Sequence, residues 1–488
     1  MIQKLFKKET AIQSAGIILI FRVIERIIQT FRGIIFARWL GPSEYGVFNL
    51  AFFFIPLVVS LAKFGIPSCY SRYIPQYEKK GMLGDFLRKN YKLTIGISVF
   101  ITIFSLLFSK QISVLVYNSA EFKPIIILCA FSILPYVLYE NYFASFQGLR
   151  VFKMSSLLRF SQFLIFTVIG IIVVIYYPKA QSAVSANLIS FIVVSIVFGF
   201  IVQKYVLNSG SQNKKIREDD FYSKIFRYSI WFVITPAIGI MFSYVDRWML
   251  NRFLGLHEVG IYSVAVNISQ MIFVFGMITG NVLMPNLSNM WEFGEKDKAM
   301  YTLNLAIKSV TLFVLFCGAG LVIFRRPLIS LLYGSEYLEG VPVIPILLVF
   351  WILNVVVWVI GVYPLLIEKT YIPLVSIIPG LAINAALNYT LIPLYGIKGA
   401  ANATMISYVF ILSGILYHNK KEKMKINANT IVTCMTPAVL LLSNPLLITA
   451  LVLILVLIVR SEYFLDKREK ALLADKLGDY LKRTIVRK

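Results

Sequence analysis

Side chains suited to redox or metal chemistry are scarce in this chain of 488 residues. It has four cysteines and two histidines. Each cysteine stands alone in an apolar segment, without the spacing of a zinc site or a disulfide framework, and His257 and His418 are equally isolated. We interpret the cysteines as small buried apolar residues. We therefore expect no resident cofactor and no cysteine–histidine metal site.

The sequence also lacks the features of two classes of membrane enzyme. No GxxxxGK[ST] phosphate loop is present, so we expect no ATP hydrolysis by this chain. The loops predicted on the outer side of the membrane are short, which leaves no room for the paired acids of a membrane glycosyltransferase or polymerase. The sequence predicts a protein that is not an enzyme.

Acidic residues are half as numerous as basic ones, 24 against 48, which gives a formal net charge of +24. When the N-terminus is placed in the cytoplasm, most of the basic residues fall in segments predicted to lie inside the cell and few in segments predicted to lie outside. This positive-inside bias predicts cytoplasmic N- and C-termini for a multi-pass protein of the cell membrane. The basic charge therefore indicates topology, and we expect no nucleic-acid partner.

Apolar residues dominate the rest of the chain. They make up 58% of it, and the mean hydropathy is +0.77, which excludes an ordinary soluble domain. Apolar runs of about 20 residues, the length of a membrane-spanning helix, recur throughout. They predict an all-α polytopic membrane protein with 14 transmembrane helices, the first of which, at 12–38, is expected to be an uncleaved helix followed by a second at 47–70.

An internal repeat divides these helices. Residues 36–51 match residues 250–265 in register, with Gly46 aligned on Gly260, and each passage joins the first and second helix of a six-helix block. Because six is even, both blocks enter the membrane in the same direction, which predicts two parallel six-helix lobes. The predicted parts are an N-terminal lobe at 1–207, a cytoplasmic linker at 208–224, a C-terminal lobe at 225–425, two appended helices at 426–461 and an amphipathic cytoplasmic tail at 462–488.

The first helix carries charge in its middle, in the segment RVIERIIQTFR (22–32). At 100° per residue its polar side chains share an arc of roughly 120°; they are Arg22, Glu25, Arg26, Gln29 and Arg32. A charge at the bilayer centre costs at least ~2.5 kcal/mol, so this stripe must face protein or a cavity.

Two interpretations of the stripe stay open. One is a buried Arg–Glu–Arg brace between helices. The other, which the sequence favours, is a water-filled cationic cavity for an anionic substrate, because arginine suits a phosphate or diphosphate. Further basic residues join the predicted cavity: Lys63 in the second span, Arg72 at its end, Arg159 in the fifth span and Arg247 in the seventh. Glu140 and Lys308 are interpreted as anchors at the membrane interface.

A second polar group is predicted farther along the chain. Asn384 and Asn388 lie one turn apart on one face of the eleventh span, Thr404 lies in the twelfth, and Asp246 lies in the seventh. Carboxylate, amide and hydroxyl oxygens are ligands for a hard cation such as Na⁺. Ordinary hydrogen bonding between helices would use the same residues.

Four stretches of the sequence resemble the polysaccharide biosynthesis protein family, the Wzx-type flippases of lipid-linked oligosaccharides. They are ARWLGPSEYGVF (37–48), RYIPQYEKKG (72–81), LLYGSEY (331–337) and LNYTLIPLYGIKGAANATMIS (387–407). The family is grouped with the MATE exporters and the lipid II flippase MurJ in the MOP superfamily. The resemblance covers the whole chain.

The resemblance implies a V-shaped pair of lobes around a cavity that opens alternately to each side of the membrane. It implies that a polyprenyl-pyrophosphate-linked oligosaccharide moves from the inner to the outer leaflet, with Arg22, Arg26 and Lys63 at the diphosphate. It also implies a Na⁺ site at Asp246, Asn384, Asn388 and Thr404, with asparagine at 388 in place of an acid, and Na⁺ or H⁺ as coupling ion. The expected partners are the lipid-linked oligosaccharide, membrane lipids and glycan assembly enzymes, and the expected state is a monomer.

Two other functions compete with this interpretation. A MATE-like multidrug or cation antiporter would share the fold, although cationic drugs would require acids in the cavity. A membrane polymerase or ligase acting on the same lipid-linked glycan is the third alternative, and the short outer loops disfavour it.

Overall fold

The structure, a computed structural model, describes residues 11–207, 215–216 and 220–472, excluding the side chains of 11–23, 231 and 234–235. Within these ranges every regular element is a helix. Ten helices there are long and apolar enough to cross a membrane, and two shorter apolar helices, Ala428–Leu441 and Asn444–Arg460, follow them. The predicted class, an all-α polytopic membrane protein, is confirmed.

The α-helices of the described ranges are numbered in chain order. They are α1 Ala11–Ala62, α2 Tyr70–Lys79, α3 Leu83–Leu107, α4 Ser109–Tyr117, α5 Lys123–Gly148, α6 Phe152–Tyr176, α7 Ala180–Val202, α8 Phe221–Ser229, α9 Trp231–Phe253, α10 Leu256–Ser269, α11 Phe273–Glu292, α12 Lys296–Ile323, α13 Arg325–Leu332, α14 Ile344–Ile360, α15 Val362–Leu366, α16 Tyr371–Tyr395, α17 Ile397–Lys421, α18 Ala428–Met435 and α19 Asn444–Arg460. Short 3₁₀ segments occupy Ile66–Cys69, Gln270–Ile272, Ser335–Val343 and Thr436–Leu441, and a π-helical turn occupies Gln203–Leu207.

The first helix changes direction at one glycine. The sequence predicts two spans, 12–38 and 47–70, joined by a loop. In the structure both lie in the single helix α1, which is interrupted only at Gly41, where φ is 73° and ψ is 169°. A positive φ favours glycine because it has no Cβ. Pro42 follows and has no N–H to donate to the preceding turn. The predicted outer loop is therefore a sharp bend within α1.

The outward faces of the long helices carry large apolar side chains. Phe100 and Leu107 on α3 are 69% and 74% exposed, and Phe200 on α7 is 69% exposed. In water such a surface would promote association. In a bilayer the same surface meets hydrocarbon, while the helices satisfy their own backbone hydrogen bonds. The exposure pattern is that of helices with lipid-facing sides.

The described residues pack into two compact units. The first unit contains the chain up to Ser263 together with Leu332–Glu336, and the second contains Val264–Leu331 and the residues from Tyr337 onward. The predicted lobe boundaries at 207 and 225 stay predictions. Residues 208–214 and 217–219 of the predicted linker lie outside the described residues.

Helix α9, the seventh predicted span, is bound to the first unit by side-chain hydrogen bonds. The indole N–H of Trp248 donates to the Leu115 carbonyl at 2.9 Å, and the Asn251 amide donates to the Val116 carbonyl at 3.1 Å. Both acceptors lie on α4, which follows the third predicted span. The first unit thus contains seven predicted spans and the beginning of the eighth.

The two repeat-related glycines make a reciprocal contact inside the first unit. A Cβ placed on Gly46 would lie 2.0 Å from the Leu256 carbonyl oxygen, and one placed on Gly260 would lie 1.9 Å from the Pro42 carbonyl oxygen. Both pairs have the offset of the sequence repeat, since 260 − 46 and 256 − 42 are each 214. Each contact is therefore the counterpart of the other, as at a local two-fold axis. Only glycine allows the two backbones to approach so closely.

A buried ion pair fixes the C-terminal segment to the second unit. Lys308 on α12 is 1% exposed and pairs with Glu469, which is fully buried. Glu469 also accepts the Asp466 N–H at 2.9 Å, while the Asp466 carboxylate accepts the Glu469 N–H at 2.7 Å. This reciprocal arrangement is a capping box at the start of the helix that follows.

The surroundings of this pair correct one sequence interpretation. Lys308 is predicted to be an interfacial anchor, but it lies in the protein interior opposite an acid 161 residues away. The described part of the predicted amphipathic tail, up to residue 472, packs into the second unit through buried Phe464 and Leu465. Residues 473–488 lie outside the described residues.

We expect Gly46→Ala and Gly260→Ala to lower the thermal stability of the protein strongly, because each added methyl group would overlap a backbone carbonyl. Overpacking of this kind costs typically about 1–3 kcal/mol or more. Gly96→Ala is the matched control, since nothing lies within 4 Å of a Cβ there, and alanine favours the helix. Circular dichroism melts of the detergent-purified variants measure the difference. Equal melting temperatures for Gly46→Ala and Gly96→Ala would contradict the close crossing.

We expect Lys308→Met to destabilise the protein by about 3–5 kcal/mol, because it leaves the Glu469 carboxylate buried without its partner. The double variant Lys308→Met/Glu469→Gln removes both charges and should recover most of this loss. Lys298→Met, which breaks the exposed pair with Glu295 at 2.9 Å, is the control and should change stability by less than about 1 kcal/mol. Denaturant unfolding of the purified variants measures the free energy of unfolding of each. The order of these three values tests the prediction. A double variant as unstable as Lys308→Met would rule out the pairing.

Candidate functional site

A polar cavity of about 340 Å³ lies inside the first unit, between four membrane helices. Its lining comes from α1, α5, α6 and α7. The lining residues are Glu25, Gln29, Arg32, Phe52, Ile55, Pro56, Tyr136, Tyr139, Glu140, Phe143, Arg159, Gln162, Phe163, Phe166, Asn187 and Phe191. Charged groups and aromatic rings therefore share one space within a bundle whose outer surface is apolar.

Three residues of the charged stripe on the first helix, Glu25, Gln29 and Arg32, line this cavity. Ile27 and Phe31 on the other face of α1 are exposed, whereas Glu25 and Arg32 are each 8% exposed and line the cavity. The orientation follows from the 3.6-residue period, which puts positions 25, 29 and 32 on one face. The side chain of Arg22 lies outside the described residues.

Two ion pairs join α1 to its neighbours. Glu25 accepts from the Arg159 Nε of α6 at 3.1 Å, and Lys63, just beyond α1, donates to the Glu140 carboxylate of α5 at 2.7 Å. In a partly buried setting an opposite charge offsets much of the cost of removing each group from water. The pairs therefore allow charge to remain in the interior of the bundle.

Glu140 is a cavity residue that sequence reasoning missed. Its position near the end of a span predicts an interfacial anchor, and the structure corrects this, because Glu140 lines the cavity and holds Lys63. The two residues are 77 positions apart, so no local pattern connects them. The wide spacing also explains why the basic residues look unpaired in the sequence.

Arg32 is held by aromatic rings. Its guanidinium carbon lies 4.1 Å from the centroid of Phe166 and 4.7 Å from that of Phe163, and its Nη1 donates to the Thr167 hydroxyl at 3.2 Å. A cation above an aromatic face is attracted by the ring quadrupole, more strongly where water is absent. These contacts fix Arg32 and leave it without an acid among the described side chains.

The remaining predicted basic residues lie apart from the cavity lining. Arg26 is half-buried on α1 and donates to Gln29 at 3.4 Å. Arg72 is exposed on α2, with its guanidinium 4.9 Å from the ring of Tyr228. Arg247 is buried in α9, where it donates to the Ser243 carbonyl at 3.2 Å. None of the three is a lining residue.

The four residues of the predicted cation site are divided between the two units, with Asp246 in the first and the other three in the second. In the first unit, Asp246 is 6% exposed and accepts the Tyr262 hydroxyl at 2.6 Å and the Arg247 N–H at 2.8 Å. In the second, the Asn388 side-chain amide donates to the Asn384 Oδ1 at 3.0 Å, and the Asn384 side-chain amide donates to the Thr404 hydroxyl at 3.3 Å. The structure thus brings the three C-terminal members together.

The polar group of the second unit holds one acceptor that no described residue uses. All three side chains are buried, and the Asn388 Oδ1 is buried without a hydrogen-bond partner among the described residues. A buried acceptor left without a donor is unfavourable. Amide and hydroxyl oxygens are the ligands that hard cations take, so Asn388 would supply one free ligand atom.

Comparison with known proteins places the chain in a family. The family described as "Polysaccharide biosynthesis protein" matches residues 11–291, more than half of the chain. An uncharacterized membrane protein of Methanocaldococcus jannaschii is 26% identical over 421 residues, which is 80% of this chain and 82% of that protein. The probable low-salt glycan biosynthesis flippase Agl15 of Haloferax volcanii is 25% identical over 184 residues, 38% of this chain and 39% of that protein.

Among solved structures, the lipid II flippase MurJ in an inward closed conformation has a similar fold. The TM-score is 0.70 at 18% sequence identity, and the match covers 91% of this chain and 99% of that one. The chain therefore shares the fold of that structure. With the family match to residues 11–291, the chain belongs to the polysaccharide biosynthesis protein family.

Proposed function

We propose that this protein is a flippase that moves an anionic polyprenyl-pyrophosphate-linked oligosaccharide from the inner to the outer leaflet of the cell membrane. The family membership, the name of the Haloferax relative and the fold shared with the lipid II flippase support it. The observation that carries the proposal is the cavity, which keeps charged and hydrogen-bonding groups inside a membrane bundle. Buried charge of this kind marks a substrate path.

In this proposal fourteen helices form two six-helix lobes and an appended pair, and both termini are cytoplasmic. The monomer opens alternately to the two sides of the membrane. A diphosphate and a sugar chain cannot enter hydrocarbon without losing their hydration, at a cost of many kcal/mol. The head group therefore crosses through polar protein, while the polyprenyl chain stays in the bilayer.

The diphosphate is assigned to Arg22 and Arg26. Arg26 forms no ion pair with an acid among the described side chains, and the one hydrogen bond that its guanidinium makes with them, to Gln29, is long at 3.4 Å. Its planar guanidinium can donate two parallel hydrogen bonds to phosphate oxygens. Lys63, which the sequence also assigns to the diphosphate, is already paired with Glu140.

Export of cationic drugs is the competing function, and the cavity supports it less well. A cationic drug requires an acid that is free to pair with it. Both glutamates in the lining are neutralised, Glu25 by Arg159 and Glu140 by Lys63. A drug would have to break an existing ion pair to bind.

We expect Arg26→Ala to reduce transport at least tenfold without unfolding the protein, because it removes charge-assisted hydrogen bonds to the diphosphate, each worth about 1.5–3 kcal/mol. Arg326→Ala, which removes an exposed arginine of the second unit, is the control. Transport is measured as the appearance of a fluorescent polyprenyl-pyrophosphoryl oligosaccharide in the opposite leaflet of proteoliposomes. Transport by Arg26→Ala at the rate of the control would exclude this role for Arg26.

We propose Na⁺ as the coupling ion, bound in part by Asn384, Asn388 and Thr404. An imposed Na⁺ gradient should then accelerate lipid movement by the unmodified protein, and Asn388→Leu should lose the acceleration because it removes the free amide oxygen. Asn286→Leu, at an exposed position on α11, is the matched control and should keep it. The rate of lipid movement is measured in the same proteoliposomes, with Na⁺ and H⁺ gradients imposed separately. Acceleration by H⁺ alone, or a Na⁺ response that persists in Asn388→Leu, would refute the assignment.

A further inference from the structure

The charges on the cavity wall are balanced. Glu25 and Glu140 face Arg32 and Arg159 across the same space, and three of these four groups already take part in ion pairs. A diphosphate offers only acceptor oxygens and negative charge. Both carboxylates are already paired with basic residues, and Arg32, which has no acid among the described side chains, is packed against two aromatic rings. The wall thus offers a diphosphate few free donors. The wall therefore suits a ligand that carries no net charge.

Aromatic rings cover much of the same wall. Tyr136 and Phe191 stack at 4.2 Å between centroids with an interplanar angle of 17°, and Phe52 and Phe166 stack at 5.6 Å with 13°. In each pair one ring is buried and the other is half-buried. The half-buried rings, Tyr136 and Phe52, retain surface on which a flat or weakly apolar group can lie.

One amide in the wall has no partner. Asn187 on α7 is 3% exposed and lines the cavity, and its side chain makes no hydrogen bond with any described residue. Its carbonyl and NH₂ groups can accept and donate to a ligand that does both. Hydroxyl groups have this property, whereas phosphate oxygens at neutral pH chiefly accept.

We propose that this cavity binds sugar rings of the transported lipid rather than its diphosphate. A sugar ring has an apolar face of C–H groups, which packs on aromatic rings, and a rim of hydroxyls, which both donate and accept. The half-buried rings, the free amide of Asn187 and the alternating carboxylates and guanidiniums match these two features. The volume of about 340 Å³ is at the small end for ligand sites and indicates a short stretch of the glycan. The inference rests on the proposed function, because that function supplies the glycan.

The test compares two lipids bound to the full-length protein in detergent micelles by native mass spectrometry. One is polyprenyl pyrophosphate, and the other is the same lipid carrying three neutral hexoses. We expect the glycosylated lipid to bind about tenfold more tightly, a difference of about 1.4 kcal/mol. Asn187→Leu and Tyr136→Leu should each reduce this preference severalfold and leave the affinity for the bare lipid unchanged. Tyr176→Leu, at an exposed ring at the end of α6, is the control and should preserve both affinities.

Equal binding of the two lipids by the unmodified protein would overturn the inference. So would cavity variants that weaken both lipids alike, because that result would mean a loss of general structure or of diphosphate contact. Failure of the flippase proposal is seen separately, in proteoliposomes. If the protein binds the glycosylated lipid more tightly but moves none of it across the bilayer, the sugar site is supported and the flippase function is contradicted.

Discussion

The structure depends on how charged side chains are tolerated inside a bundle that faces lipid. An unpaired charge there is costly, and each unit meets this constraint by pairing residues that are far apart in the chain. Glu25 with Arg159 and Lys63 with Glu140 link helices of the first unit, and Lys308 with Glu469 fixes the C-terminal segment of the second. The first two pairs lie at a cavity, so they also determine which ligands it can accept.

The glycine crossing adds a geometric constraint of a different kind. Gly46 and Gly260 let backbone pack against backbone at equivalent points of the two repeats. A sequence repeat alone shows common ancestry of two segments. The reciprocal contact shows in addition that the segments pack against each other in the same way, with each glycine facing a backbone carbonyl of the other segment. This is the packing expected where duplicated blocks associate symmetrically.

Much of the fold and part of the site could be predicted from the sequence. Long apolar runs predict the helices, and the 3.6-residue period correctly turns Glu25 and Arg32 inward and Ile27 and Phe31 outward. The partners could not be predicted, because Glu140 and Glu469 lie far along the chain from the lysines that they neutralise. Without them the cavity looks strongly cationic, whereas its described lining is balanced. The cavity rings were missed for a related reason: in a membrane helix, phenylalanine facing lipid and phenylalanine facing a cavity look alike.

We propose that the polar cavity forms part of a path for a lipid-linked glycan. The most direct measurement is the movement of a fluorescent polyprenyl-pyrophosphoryl oligosaccharide between the leaflets of proteoliposomes that contain the unmodified protein, compared with liposomes that lack it. The account predicts that the labelled lipid reaches the opposite leaflet only when the protein is present, and faster under an imposed ion gradient. Equal rates with and without folded protein would contradict it.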